Sequence, residues 1–124
     1  MITGIIVFAH GSRVESANEA VRAVARGLVS ASACDHVRAA FLELGQPDLA
    51  GAAAELAAIG VTRLVILPYF LTLGLHMERD LPVLVRSMGE NHPGLEIRVA
   101  PPLDGHPGLV AILADRFREI AAPK

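Results

Sequence analysis

The sequence predicts a parallel α/β domain, a three-layer sandwich with a four-stranded sheet between helices. Three observations predict it. Short apolar, β-branched runs alternate four times with segments whose apolar residues recur every three or four positions. The first and third runs, Ile2–Ala9 and Arg63–Phe70, are apolar almost throughout rather than alternating, as in strands covered on both faces. The connections are short, and short crossovers between parallel strands give right-handed βαβ units. A chain of 124 residues suits one domain, 1–124, with one sheet and its helices.

The elements follow in order. Ile2–Ala9 reads as the first strand. A helix is expected from Ser16 to Val29, with Ala17, Val21, Val24 and Leu28 inward and Glu19, Arg22 and Arg26 toward water. Val37–Leu42 is the second strand. Gly45-Gln46-Pro47-Asp48 should open a helix to Ile59, with Pro and Asp in its first turn and Gly60 as its stop. Arg63–Phe70 is the most hydrophobic strand and should be central. The third helix holds Leu81, Leu84, Val85 and Met88, with Pro82 in its first turn or at a kink. Glu96–Ala100 is the last strand. Pro107–Ala121 is the last helix, with Leu109, Ile112, Leu113, Phe117 and Ile120 inward.

Composition narrows the function. Hydrophobic residues make up 52% of the chain, which is rich for a small monomer and predicts that surplus apolar surface goes to a subunit interface. Charged residues or histidines interrupt every run before the roughly 18–20 residues a membrane span needs. The start has no basic n-region, so a cytoplasmic location is expected. Net charge is −2, which leaves no electrostatic footprint for nucleic acid. Ten of the eleven basic residues are arginine, a bias that codon usage explains as readily as carboxylate recognition. Cys34 is the sole cysteine, which excludes a cysteine-cage metal site, and Asp35 beside it argues against a reactive thiol.

The chemistry-bearing residues gather where strands end. In a parallel sheet the carboxyl ends of the strands share one edge, where ligands bind. His10-Gly11-Ser12-Arg13 follows the first strand, Glu43 the second, His76 the third and His106 the fourth. Three imidazoles and a carboxylate are therefore expected to converge on one cleft, a set suited to a divalent metal or to proton transfer. Each residue also has a plainer reading. His10 and Ser12 fit an ordinary βα loop with a serine cap. Glu43 can bond the amides opening the next helix, or act as a partly desolvated proton acceptor. Asp80 lies four residues from His76 and either orients its imidazole or caps the helix before Leu81. His106 fits best as the N-cap of the last helix. His36 and His92 precede strands and belong on the opposite edge, at the surface. Loops of the Gly-x-x-x-x-Gly-Lys-Ser/Thr, Gly-x-Gly-x-x-Gly and Gly-x-Ser-x-Gly types are missing, against ATP hydrolysis, dinucleotide binding and hydrolase chemistry.

Taken together, four motifs resemble the small CbiX-type sirohydrochlorin chelatases, the class II chelatases. They are His10-Gly11-Ser12-Arg13, Ala40-Phe41-Leu42-Glu43-Leu44 with Gln46-Pro47, Pro68-Tyr69-Phe70-Leu71 with Gly74, His76, Asp80 and Pro82, and Pro101-Pro102-Leu103-Asp104-Gly105-His106-Pro107. The resemblance covers nearly the whole chain in order. It implies a chelatase-like, flavodoxin-like fold and an enzyme, a lyase, that inserts cobalt, iron or nickel into sirohydrochlorin without ATP. It places the product in cobalamin, siroheme or a related nickel pathway. It implies a homodimer and no permanently bound cofactor, the divalent ion being a substrate. By position, His10 and His76 match the metal-binding histidines, and Glu43 the acidic residue of the site. The tail Ala121-Ala122-Pro123-Lys124 lacks the His-rich or cysteine-rich extensions of some relatives, so no metal store or iron–sulfur cluster is expected.

On this reading His10 and His76 hold or deliver the metal and Glu43 accepts protons. Tyr69, Phe70, Leu71, Leu73 and Leu75 form an apolar wall for the ring. Ser12 offers a hydroxyl to a ligand oxygen, and Arg13 and Arg79 face the ring's carboxylates. The alternative is a metal or tetrapyrrole carrier without turnover, for which Glu43 would be superfluous.

Overall fold

The computed structural model describes residues 1–121; the expectation about the tail beyond Ala121 lies outside the described residues. Four strands, β1 (Thr3–Ala9), β2 (Val37–Phe41), β3 (Arg63–Pro68) and β4 (Glu96–Val99), alternate with four helices. These are α1 (Glu15–Ala31), α2 (Leu49–Ala58), α3 (Leu75–Asn91) and α4 (Gly108–Ala121). The sheet is wholly parallel, in the order β2-β1-β3-β4. The predicted sandwich is present, with β1 and β3 at its centre.

Strand alternation sorts the core into two layers. Ile6, Phe8, Leu64 and Ile66 face α2 and α3, together with Leu49, Ala52, Ala53, Leu56, Leu81 and Met88. Ile5, Val7 and Ala9 face α1, packing with Val21, Ala25 and Phe41. The second layer is thinner because a single helix serves it. The order of strands reverses direction after β2, so the loops leaving β1 and β3 part to opposite faces. That divergence opens the crevice in which α/β sheets bind ligands.

Several boundaries shift from expectation. The inner face of α1 runs through Asn18, Val21 and Ala25, and Ala17 is exposed. Pro47 and Asp48 precede α2 rather than entering its first turn; the Asp48 carboxylate caps the helix by accepting the Gly51 N–H at 2.8 Å. The strand tips fall short, leaving Leu42, Tyr69, Phe70 and Ala100 in loops. The third helix starts at Leu75, well before Leu81, so Pro82 lies two turns inside it. Leu81 and Met88 are buried on one face and hold the helix against the sheet across that missing N–H.

The largest departure is α4. Its apolar residues were expected to face inward, yet none of its residues is buried. Leu113 is 68% exposed, Phe117 70% and Ile120 88%. The physical reason lies in its root. Leu103 and Asp104 donate their N–H groups to the carbonyls of Phe70 and Leu71, fixing the connection at the carboxyl edge, from which the helix departs.

Candidate active site

β1 and β2 are adjacent, and backbone bonds between them continue past the strand tips. Leu42 donates its N–H to Ala9 O at 2.9 Å, and Glu43 donates to His10 O at 3.1 Å. This places the two side chains together, with His10 Nε2 3.8 Å from Glu43 Oε1, both more than half exposed. An imidazole and a carboxylate at that distance can share a proton or flank an ion.

The loops behind this pair are tightly constrained. Gly11 has φ +94°, and a Cβ there would lie 1.7 Å from Glu43 O, so only glycine fits. Leu44 occupies the left-handed region at φ 57°, a costly conformation for a branched side chain. Asn18, 1% exposed, braces both loops. Its Oδ1 accepts the Ser12 N–H at 2.9 Å, and its Nδ2 donates to Ser12 O at 2.8 Å and Leu44 O at 2.9 Å. Sequence reading missed Asn18. The signal was available, because an amide three and seven residues before Val21 and Ala25 sits on the apolar face, where a polar group requires partners.

Ser12 is engaged locally, its Oγ accepting the Val14 N–H at 3.0 Å. Arg13 is exposed. Along α1, Arg22 bonds Glu15 at 2.6 Å and Glu19 at 3.3 Å while lying 5.4 Å over the Phe41 ring, and Arg26 bonds Glu19 at 2.8 Å. These arginines hold both carboxyls below the usual range, Glu15 chiefly through Arg22 and Glu19 chiefly through Arg26.

His76 stands in the first turn of α3, at the same edge of the sheet. Its Nδ1 lies 3.2 Å from Arg79 Nη2, and a guanidinium only donates, so Nδ1 is the acceptor. Asp80 does not orient the imidazole, as expected, nor does it cap the helix. Its carboxylate accepts from Arg79 Nε at 3.1 Å. The turn is helical, as a shared face of His76 and Asp80 requires, but Arg79 is the nearer partner. His106 does cap, its Nδ1 accepting the Gly108 N–H at 2.9 Å.

The expected convergence is therefore partial. Among the described residues, no three His, Cys, Asp or Glu side chains come within reach of one ion. His10 and Glu43 sit directly on strand tips, whereas His76 rides a helix beyond a loop and His106 a pinned connection. The apolar wall is also divided. Phe70 packs edge-on against Phe8, ring centroids 5.9 Å apart, and belongs to the core. Leu73 lines a cavity of about 450 Å³ beside α3, with Met77, Val85 and Val99. Tyr69 lines one of about 210 Å³ on the α1 side. Leu71 and Leu75 are exposed at the edge itself. His36 and His92 are half-buried rather than fully at the surface, on the opposite edge as expected. Cys34 points its thiol at Thr3 O, 3.4 Å away.

The chain is similar to known proteins along nearly its whole length. It is 26% identical to a sirohydrochlorin cobaltochelatase of Methanococcoides burtonii, covering 94% of this chain and 95% of that protein. It is 28% identical to a chloroplastic sirohydrochlorin ferrochelatase of Arabidopsis thaliana, covering 93% of this chain but 51% of that one. A crystal structure of a cobalamin (vitamin B12) biosynthesis CbiX protein from Marinobacter aquaeolei superposes with a TM-score of 0.82 at 27% identity, over 95% and 96% of the two chains. The CbiX family model matches residues 4–120, and the chain belongs to the CbiX family.

Proposed function

We infer that this protein is a sirohydrochlorin chelatase, a lyase that exchanges two pyrrole N–H protons of the ring for one divalent metal ion. The observation that carries this reading is the His10–Glu43 pair on adjacent strand tips, in a chain whose relatives are named for cobalt and iron insertion into sirohydrochlorin. The carrier reading is not favoured, since those relatives are named as chelatases.

The reaction balances simply: M²⁺ enters, two N–H bonds break, and two protons leave. The ring edge lies in the crevice between the β1 and β3 loops, against Leu71 and Leu75. His10 and His76 present the ion through imidazole nitrogens, which hold borderline first-row metals without the grip of thiolates. For His76 this means releasing Arg79 if the ion takes Nδ1, or moving its proton to Nδ1 if the ion takes Nε2. Arg79 then becomes free to pair with a ring carboxylate, as does exposed Arg13. Glu43 accepts the departing protons and passes them to water, for which its exposure suits it. Cobalt, iron or nickel arrives as substrate, and the protein carries no resident cofactor. Ser12 supports the loop more than the ligand, its hydroxyl being held by Val14 N–H.

The protein works as a homodimer in the cytoplasm. A flat macrocycle has two faces, and one sheet edge covers one of them. A relative about twice this length carries the same kind of reaction name as one of equal length, which supports two copies acting together. No helix among the described residues is long and apolar enough to cross a membrane.

The test is anaerobic incubation of the purified protein with sirohydrochlorin and Co²⁺, Fe²⁺ or Ni²⁺, followed by absorbance. Metal insertion above the protein-free rate is expected for at least one ion. Ring binding without any acceleration would leave a carrier and overturn the reading.

A further inference from the structure

The two candidate metal-binding histidines stand in opposite states. A neutral imidazole carries one N–H and one lone pair, so the bond made by one nitrogen fixes what the other can offer. His10 Nδ1 lies 3.3 Å from the carbonyl oxygen of Gly11, which only accepts, so Nδ1 carries the proton. The lone pair is then on Nε2, the atom 3.8 Å from Glu43 Oε1. A lone pair beside a carboxylate oxygen is an arrangement that a cation completes. His10 is open to an ion.

His76 is closed. Arg79 Nη2, 3.2 Å away, donates to its Nδ1, so the single proton sits on Nε2. Both nitrogens are committed, one to Arg79 and the other to a proton. An ion that takes Nδ1 must displace Arg79. An ion that takes Nε2 must send the proton to Nδ1, which displaces Arg79 as well. Every route to His76 breaks the same bond. Arg79 is itself held from behind, its Nε donating to Asp80 Oδ1 at 3.1 Å, while nothing among the described residues bonds its Nη1. Its side chain is 70% exposed, so a carboxylate arriving from solvent can reach it.

We propose that Arg79 is a latch on His76 that a carboxylate of the ring releases, so that ring binding uncovers the second metal ligand. A guanidinium takes a carboxylate in a two-pronged bond between opposite charges, which a neutral imidazole does not offer. The uncommitted Nη1 and the shared Nη2 form that fork. The incoming carboxylate draws Nη2 off His76 while Nε stays on Asp80, which serves as the pivot. No covalent bond changes; one hydrogen bond is exchanged for a stronger one. Linkage makes the effect reciprocal, ring and ion each raising the other's affinity by the same factor. The open His10–Glu43 pair meets the ion first, and His76 joins once the ring is seated. The inference rests on the chelatase reading given above and adds an order of events to it.

Two measurements test it. In the first, ring-nitrogen NMR spectra are recorded on the metal-free protein with labelled histidine, His10 and His76 being assigned from His10→Gln and His76→Gln. The proton is expected on Nδ1 of His10 and on Nε2 of His76, and Arg79→Met should return His76 to a mixture. Sirohydrochlorin alone should do the same to His76 in the wild type. Two histidines in one tautomer overturn the proposal. A ring that binds and leaves His76 fixed overturns it while the chelatase reading stands, and a ring that does not bind overturns both. In the second, Co²⁺ binding without the ring is followed by calorimetry. Arg79→Met should bind about three- to tenfold more tightly than the wild type, the scale of one hydrogen bond no longer displaced. That gain should largely vanish in a His76→Ala background. A gain of equal size there comes from the lost positive charge alone, and no gain in either background means that nothing was displaced. Either result overturns the latch.

Discussion

The backbone of Gly11 passes so close to Glu43 that a single added carbon on Gly11 would stand 1.7 Å from the Glu43 carbonyl oxygen. The β1 and β2 loops thus touch backbone to backbone immediately beneath the His10–Glu43 pair. Gly11→Ala must break that contact and also leave φ +94°, a region alanine disfavours by roughly 1–2 kcal/mol. Chelation should fall at least about tenfold and the melting temperature should drop. Wild-type activity in the alanine variant would show that the contact does not matter.

Asn18 should be almost as sensitive. Asn18→Ala leaves the Ser12 N–H and the Ser12 and Leu44 carbonyls without partners, at about 1–3 kcal/mol for each group that stays buried. We expect a loss of about 2–4 kcal/mol in urea unfolding. Asn18→Asp keeps the acceptor but turns a carboxylate toward two carbonyls, and should be no better than alanine.

His10, Glu43 and His76 are expected to divide by role. Glu43→Gln should slow metal insertion by about 10²-fold, the scale of a lost general base, while metal binding followed by calorimetry changes little. His10→Ala and His76→Ala should impair both insertion and metal binding. All three side chains are exposed, so unfolding midpoints should stay within about 0.5 kcal/mol of wild type.

Pro82 offers a prediction of opposite sign. It is exposed and two turns inside α3, where proline costs about 3 kcal/mol relative to alanine. The proline also stiffens the unfolded chain, which offsets part of that cost. Pro82→Ala should therefore stabilise the protein by about 1–3 kcal/mol, read as a higher urea midpoint.

Acid should weaken α1 in a defined way. Glu15 and Glu19 have folded-state pKa values below the usual carboxylate range, owing to Arg22 and Arg26. A carboxylate lowered on folding contributes stability above its unfolded pKa, about 4.3, and loses it as pH falls through the folded value. Stability should decline as the pH drops below about 4.3. Arg22→Met should flatten that decline. The effect will be small, because the pairs are solvent-exposed.

How much of this was legible in the sequence depended on what kind of contact was involved. The strands could be read because their unbroken apolar runs obey a rule local to the chain, and the carboxyl-edge placement of His10 and Glu43 followed from parallel topology alone. The start of α3 was left open, with Pro82 in a first turn or at a kink, because Leu75-His76-Met77-Glu78-Arg79-Asp80 carries little apolar periodicity; Pro82 lies inside the helix. The pairing of Asp80 with Arg79 rather than His76 is a choice between neighbours on one helix, which spacing alone does not make. For α4 the pattern was read correctly and its destination wrongly. An apolar stripe specifies that a helix is to be covered, not which surface covers it.

The backbone bonds that carry β1 and β2 past their tips make the sheet a ruler for the His10–Glu43 distance. Two consecutive backbone bonds past the strand tips, Leu42 N–H to Ala9 O and Glu43 N–H to His10 O, hold His10 and Glu43, so their separation is set by residue count from Val37 as well as by side-chain packing. Adding or removing one residue between Val37 and Glu43 would break that pair of bonds and carry the carboxylate away from His10. The surrounding helices can drift in sequence without altering that spacing, whereas this seven-residue stretch has no freedom of length.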